Sequence, residues 1–336
     1  MANARRQNSR SQRGAGRAGA PSPAALPRGA APVQTGRATS RKGTSGWLRW
    51  GAGLALVAAL VSLFATRLLP ALGTDEGAGP RPIASLDAPD AHSLLVDPKD
   101  PDHLLFGAHS GLQASRDGGF TWETGTLRDA DAMSLATSPK EPATLYAVGH
   151  DVFQVSRDGG RTWQPVEHDL PSTDLHAFAQ DPNDPRRLYA LVAGAGLFAS
   201  SDGGAAWTPL AAQPPGGGMH IALATDGSTL YAATEAGLVL SRDQGAAWQA
   251  SPAQPDNGVL SLAIPASEPQ TIYAGTTSGL AKSSDGGATW TSLGPDDVPA
   301  VALAVASTDP NRVVIVDDDG AVYRSDDGGA SWVEPR

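Results

Sequence analysis

The chain contains no cysteine. Disulfides, thiol nucleophiles and thiolate-bound zinc or iron–sulfur centres are therefore excluded. An extracytoplasmic domain of roughly 260 residues does not need disulfides, because it buries enough apolar surface on its own. Local signatures of several enzyme classes are also missing: there is no His-Glu-x-x-His, Gly-x-Ser-x-Gly or Walker A segment. Aromatic side chains are few, at 6% of the chain, and long apolar runs are rarer still. One uncharged apolar run occurs, from Gly51 to Thr66.

What charge there is lies unevenly. Residues 1–49 hold ten Lys or Arg and no acid, whereas residues 74–336 hold 14 basic residues against all 35 acids. Such asymmetry predicts two compartments. The acidic part repels phosphate backbones, so no nucleic-acid partner is expected for it. Residues 1–46, rich in Arg, Ala, Gly, Pro and Ser, read as a disordered basic cytoplasmic tail. Residues 47–72 read as one transmembrane helix, with Trp47 and Trp50 at the cytoplasmic interface and Arg67 snorkelling outward. The positive flank sets the amino terminus inside and the remainder outside, in a periplasm or at a cell surface. Ala71-Leu72-Gly73 resembles a signal-peptide cleavage site, but the basic region before the run is far too long for one. Residues 73–89 read as a linker that holds the following domain within roughly 55 Å of the bilayer.

Over residues 90–336 one motif recurs. Ser-x-Asp-x-Gly-x-x-Trp appears six times, with acids Asp117, Asp158, Asp202, Asp243, Asp285 and Asp327. Its tryptophans are Trp122, Trp163, Trp207, Trp248, Trp290 and Trp332, spaced by 41, 44, 41, 42 and 42 residues. No other tryptophan lies outside the anchor. Each unit reads as four short strands. The first follows a small-large-small rule, as in Ser134-Leu135-Ala136 and Ala302-Leu303-Ala304, with Ala222-Leu223-Ala224 as the fourth copy. Period-two alternation is the strand pattern, and small residues suit crowded strands near an axis. The second strand repeats Leu-Tyr-Ala, and a glycine turn (Gly111, Gly196, Gly237, Gly279, Gly320) leads into the third. The spacing predicts an all-β, six-bladed β-propeller of four-stranded blades; a parallel β-solenoid, which needs caps, is the alternative. Few residues follow Trp332, so Pro82-Ile-Ala-Ser-Leu86 is the stretch expected to pair there and close the ring.

The six motifs resemble the Asp-box, or bacterial-neuraminidase, repeat. That repeat occurs in sialidases, xyloglucan-degrading glycoside hydrolases, sortilin-type receptors and photosystem-assembly propellers, and it is specific to a structural hairpin, not to a chemistry. The resemblance implies that the six motif acids accept hydrogen bonds holding the turn, and that the tryptophans pack between strands or blades. Gln244 replaces the first motif glycine in the fourth copy, leaving Gly245 to make the turn.

Successive propeller loops alternate between two faces, and the resemblance places a ligand funnel on the face opposite the Asp boxes. A sialidase needs an arginine triad and a tyrosine nucleophile there. Tyr146, Tyr189, Tyr231, Tyr273 and Tyr323 all fall in strand columns, and only Arg81 and Arg128 are left to reach the funnel. Sialidase activity is not expected. A glycoside hydrolase using two carboxylates is harder to dismiss. Its candidates are Asp129, Asp131, Asp174, Asp256 and Asp296, together with Asp169 and Asp297, all in blade-to-blade links. Histidine supplies a further set. His92 and His176 begin first strands, and His220 stands one residue out of register with them. His109 and His150 share the second-turn column, where Glu235 and Asp318 are later counterparts. Radial repetition of these columns predicts a His and carboxylate lining able to take a polar ligand or a divalent metal, though hairpin ends favour polar residues in any case. Asp317-Asp318-Asp319-Gly320 looks like a calcium loop but coincides with a hairpin turn. The leading expectation is a membrane-anchored, non-enzymatic platform that binds a protein or glycan through its funnel face, without a required cofactor. The alternative is a glycoside hydrolase.

Overall fold

The computed structural model describes residues 79–87, 91–217, 220–223 and 226–336. The expected tail over 1–46 and membrane helix over 47–72 lie outside the described residues. Among the described residues no helix is long and apolar enough to cross a membrane.

Among the described residues all regular structure is β. Six four-stranded antiparallel sheets form six blades. Blade 1 runs Ala91–Asp97, Asp100–Ala108, Gly111–Ser115 and Glu123–Arg128, from inner to outer strand, and blades 2 to 5 repeat that order. The inner strands touch in sequence around a circle, and that of blade 6 (Ala302–Ala306) meets that of blade 1. The ring is closed.

Closure uses the stretch ahead of blade 1. Ala84–Ser85, inside the segment read as a linker, is the outermost strand of blade 6 and pairs with Ala321 and Val322. Ile83 N and Leu86 N donate to Val322 O and Gly320 O, both at 2.8 Å. Beyond Trp332, Val333 N takes over the same edge by donating to Arg324 O at 2.8 Å. The edge that a ring must hide is thereby shared between the two ends of the domain. Charge reinforces the seam. Arg312 contacts Asp102 at 2.8 Å and Asp326 at 2.6 Å, and Arg324 bonds both Asp326 and Gly118 O of blade 1.

The core is not a single mass but six wedges, one in each blade-to-blade interface, and each takes one motif tryptophan. Trp163 packs with Leu95, Leu105 and Leu145 between blades 1 and 2, and Trp332 with Tyr273, Leu280 and Val313 between blades 5 and 6. The other four fill the remaining wedges. Four indoles also donate to the outer edge of the preceding blade: Trp163 to Thr126 Oγ1, Trp248 to Ala212 O, Trp290 to Ala253 O and Trp332 to Leu293 O. Trp122 and Trp207 donate to their own motif glycines. The tyrosine column adds a second staple, since Tyr146, Tyr231 and Tyr273 each donate to a motif glycine carbonyl one blade on.

Register departs from expectation once. The fourth inner strand pairs Ile221 with Ala232, where blades 2 and 3 pair Leu135 with Ala147 and Phe178 with Ala190. The fourth copy of the small-large-small rule is therefore His220-Ile221-Ala222, two residues before Ala222-Leu223-Ala224. A two-residue slip keeps the same alternation, so periodicity alone does not detect it.

Candidate functional site

Two faces follow from the antiparallel order. On one, the motif turn of a blade bonds to the start of its own second strand, as Gly118 N to Asp102 O and Gly203 N to Arg186 O. Within the motif the acid is an acceptor, as in Asp158, whose Oδ1 takes Thr162 N at 2.9 Å and whose Oδ2 takes Thr162 Oγ1 at 2.6 Å. Those bonds hold the Asp158 carboxyl down at about 2, and bonds from Thr289 do the same for Asp285. Such acids are fixed anions and do not serve as proton donors. Gln244 differs from expectation: at φ 59° it adopts the left-handed backbone itself, alongside Gly245 at 86°.

The opposite face carries the second turns and the links. Here the structure joins two sets that the sequence left separate. His92 begins the inner strand of blade 1, and His109 tops its second turn. Asp131 lies in the link to blade 2, His150 tops that blade's second turn, Asp174 lies in the next link, and His176 follows in the inner strand of blade 3. These six side chains form one continuous arc. His92 Nε2 and His109 Nδ1 share a hydrogen bond of 2.6 Å. Asp131, only 12% exposed, faces both rings at 3.9 and 3.8 Å. Its Oδ2 lies 2.5 Å from His150 Nδ1. On the far side of that ring, Asp174 Oδ1 lies 3.4 Å from His150 Nε2 and 3.0 Å from His176 Nε2. An ionised carboxylate only accepts, so the His150 Nδ1 that faces Asp131 carries a proton. Local backbone makes the contact possible. A Cβ at Gly149 would stand 1.9 Å from Asp131 O, so the turn before His150 needs glycine for the link to lie against it.

The remaining candidates stand apart from the arc. Glu235 and Asp318 are exposed on their turns in blades 4 and 6. Asp129 is exposed in the same link as Asp131, and Asp256 and Asp296 are exposed in other links. Asp169 is framework, because its Oδ1 accepts from Trp207 N at 2.8 Å. Arg81 is bound to Glu334 at 2.7 Å, so it does not reach the funnel as expected. Asp317 Oδ1 accepts from Asp319 N and Ala321 N, closing a hairpin turn. His220 occupies the column that holds Ser93, Ala177 and Ser261 elsewhere, and with Phe178 and Ile221 it lines a central cavity of about 190 Å³. Its Nδ1 is shielded with no hydrogen-bond partner, and desolvation pushes its pKa down to about 4. It is neutral at physiological pH and belongs to the channel, not the arc. The five tyrosines are buried, and burial raises the phenols of Tyr146, Tyr189, Tyr231 and Tyr323, opposite to what a nucleophile needs.

Comparison with known proteins agrees with this geometry. The BNR/Asp-box repeat model matches residues 154–165, the third strand and motif turn of blade 2. These are BNR/Asp-box repeats. The BNR propeller is similar in fold to the GH74 xyloglucanase from Xanthomonas campestris, with a TM-score of 0.54 and 21% identity over 75% of this chain and 46% of that one. It is also similar to the Niastella koreensis GH74 enzyme, with a TM-score of 0.50 and 18% identity over 72% of this chain and 46% of that one. YCF48 from Cyanidioschyzon merolae follows at 0.49 and 17% identity, over 76% and 88% of the two chains. No curated protein sequence matches the chain. The BNR propeller thus spans less than half the length of these GH74 proteins, and the likeness is one of fold.

Proposed function

We propose that this BNR propeller is a non-enzymatic recognition platform, held outside the cytoplasm by the anchor at 47–72, that binds a protein or glycan through the link-and-turn face of blades 1 to 3. The arc carries the reading. Four imidazoles and two carboxylates from three blades converge on one face, and framework packing does not require them there. The Asp boxes, the tyrosines and the arginine seam are all consumed in holding the ring.

The hydrolase reading keeps some support from the two link carboxylates, Asp131 and Asp174, on a fold that GH74 enzymes share. Against it, Asp131 is held by the His150 imidazole at 2.5 Å. A photoreactive residue at exposed Ser110, beside the arc, is expected to form adducts in the native envelope, while one at exposed Ala330, on the Asp-box face, does not. Adducts at Ala330 alone contradict the proposal. So does hydrolysis of chromogenic glycosides or xyloglucan by the full chain that Asp131→Asn abolishes.

A further inference from the structure

We infer that the arc holds one transition-metal ion of the zinc class, bound by His150 Nε2, His176 Nε2 and Asp174 Oδ1. This rests on the reading of the arc as the ligand-facing site and gives it a chemistry. Three observations converge. Donor spacing comes first. Metal–nitrogen bonds of about 2.0–2.1 Å in a tetrahedron set neighbouring donors about 3.3 Å apart. Asp174 Oδ1 stands 3.4 and 3.0 Å from the two imidazole nitrogens, and the three donor atoms lie within 4.8 Å of one another.

The second observation is the state of that oxygen. Asp174 Oδ1 is shielded from solvent and receives no aligned hydrogen bond, although two ring nitrogens flank it. The groups converge on a point between them and not on each other. An ion there satisfies all three.

Third, the outer partner is in place. Metal-bound imidazoles characteristically give their other ring N–H to a carboxylate, which fixes the tautomer and raises ligand basicity. His150 does so to Asp131 at 2.5 Å. Asp131 is accordingly a positioning residue, not a ligand. Two imidazoles among three donors select zinc, copper, nickel or cobalt over calcium and magnesium, which prefer all-oxygen sites. The ligand side chains are 41–48% exposed, so a fourth position stays open to water or to a donor group from the bound partner.

The test is zinc chloride titrated calorimetrically into the metal-free full chain, with cobalt absorption as a spectroscopic check. One equivalent is expected to bind, with a tetrahedral cobalt band. His176→Ala and Asp174→Asn are each expected to weaken binding by more than about a hundredfold, beyond the ten- to hundredfold cost of losing an outer partner. Asp131→Asn is expected to fall within that lower range, and exposed Asp256→Asn, outside the arc, to change nothing. The metal-free variants must melt as the parent does, which their exposure favours. No saturable zinc binding overturns the inference, as does binding insensitive to both His176→Ala and Asp174→Asn, or lost only with His92→Ala. Zinc binding as described, with adducts confined to the Asp-box face, would remove the recognition reading and leave the metal. Adducts at Ser110 without zinc binding would do the reverse.

Discussion

Gln244 holds a left-handed backbone at φ 59°, where the other five motifs place glycine at 70° to 85°. A side chain there costs about 1–2 kcal/mol that glycine avoids, part of which returns as lost chain entropy. Gln244→Gly is therefore expected to raise stability by about 1 kcal/mol in urea unfolding, and no gain would show the turn to be unstrained. The motif acids set an acid limit. Hydrogen bonds hold the folded-state pKa values of Asp158 and Asp285 at about 2, below the ordinary aspartate value of 3.8. Their contribution is complete above the unfolded value and is lost as pH falls through about 2. Asp158→Asn with Asp285→Asn should thus flatten the melting temperature against pH between about 4 and 2; an unchanged slope contradicts the assignment. Both effects are half legible in the sequence. The motif names the acids and marks Gln244, but only the backbone angle shows that glutamine itself makes the turn. Asp131 and Asp174 occupy equivalent sequence columns, three residues before Ser134 and Ala177. That column, laid beside His92 and His176, is the sequence signal that joins carboxylates to imidazoles.

Each blade contributes its tryptophan to the wedge against the blade before it, and the six are not equal. Trp207 is 8% exposed and packs edge-on to Phe178, with Phe153 close by. Trp207→Ala is expected to cost about 3–5 kcal/mol. Trp163→Ala, from a more open position, should cost less, and chemical denaturation that reverses the order would refute the wedge description. Blade count, strand order and the tryptophan and tyrosine columns are readable because a period near 42 residues repeats the same contacts. The small-large-small rule sets the fourth inner strand two residues late because parity survives such a slip, and the pairing that decides it lies in the neighbouring strand. The slip conceals that His220 replaces a small residue beside the channel.

Closure is a property of the whole ring. Ile83 and Leu86 are 7% and 5% exposed and pack with Phe106, Val314 and Val322, joining the first and last blades. Ile83→Ala should therefore cost about 2–5 kcal/mol despite lying outside every repeat; a neutral result would mean that the seam is held by Arg312 and Arg324 instead. The short last strand points to this stretch from the sequence alone, whereas the arginine seam has no motif to announce it. The ring's consequence for function is that turns and links distant in the chain meet on one face, from His92 to His176. Nitrogen-15 spectra of the imidazole side chains test that convergence most directly. His150 is expected to be protonated on Nδ1, and Asp131→Asn to weaken that preference. Four histidines with ordinary tautomer mixtures, indifferent to Asp131, would contradict the arc.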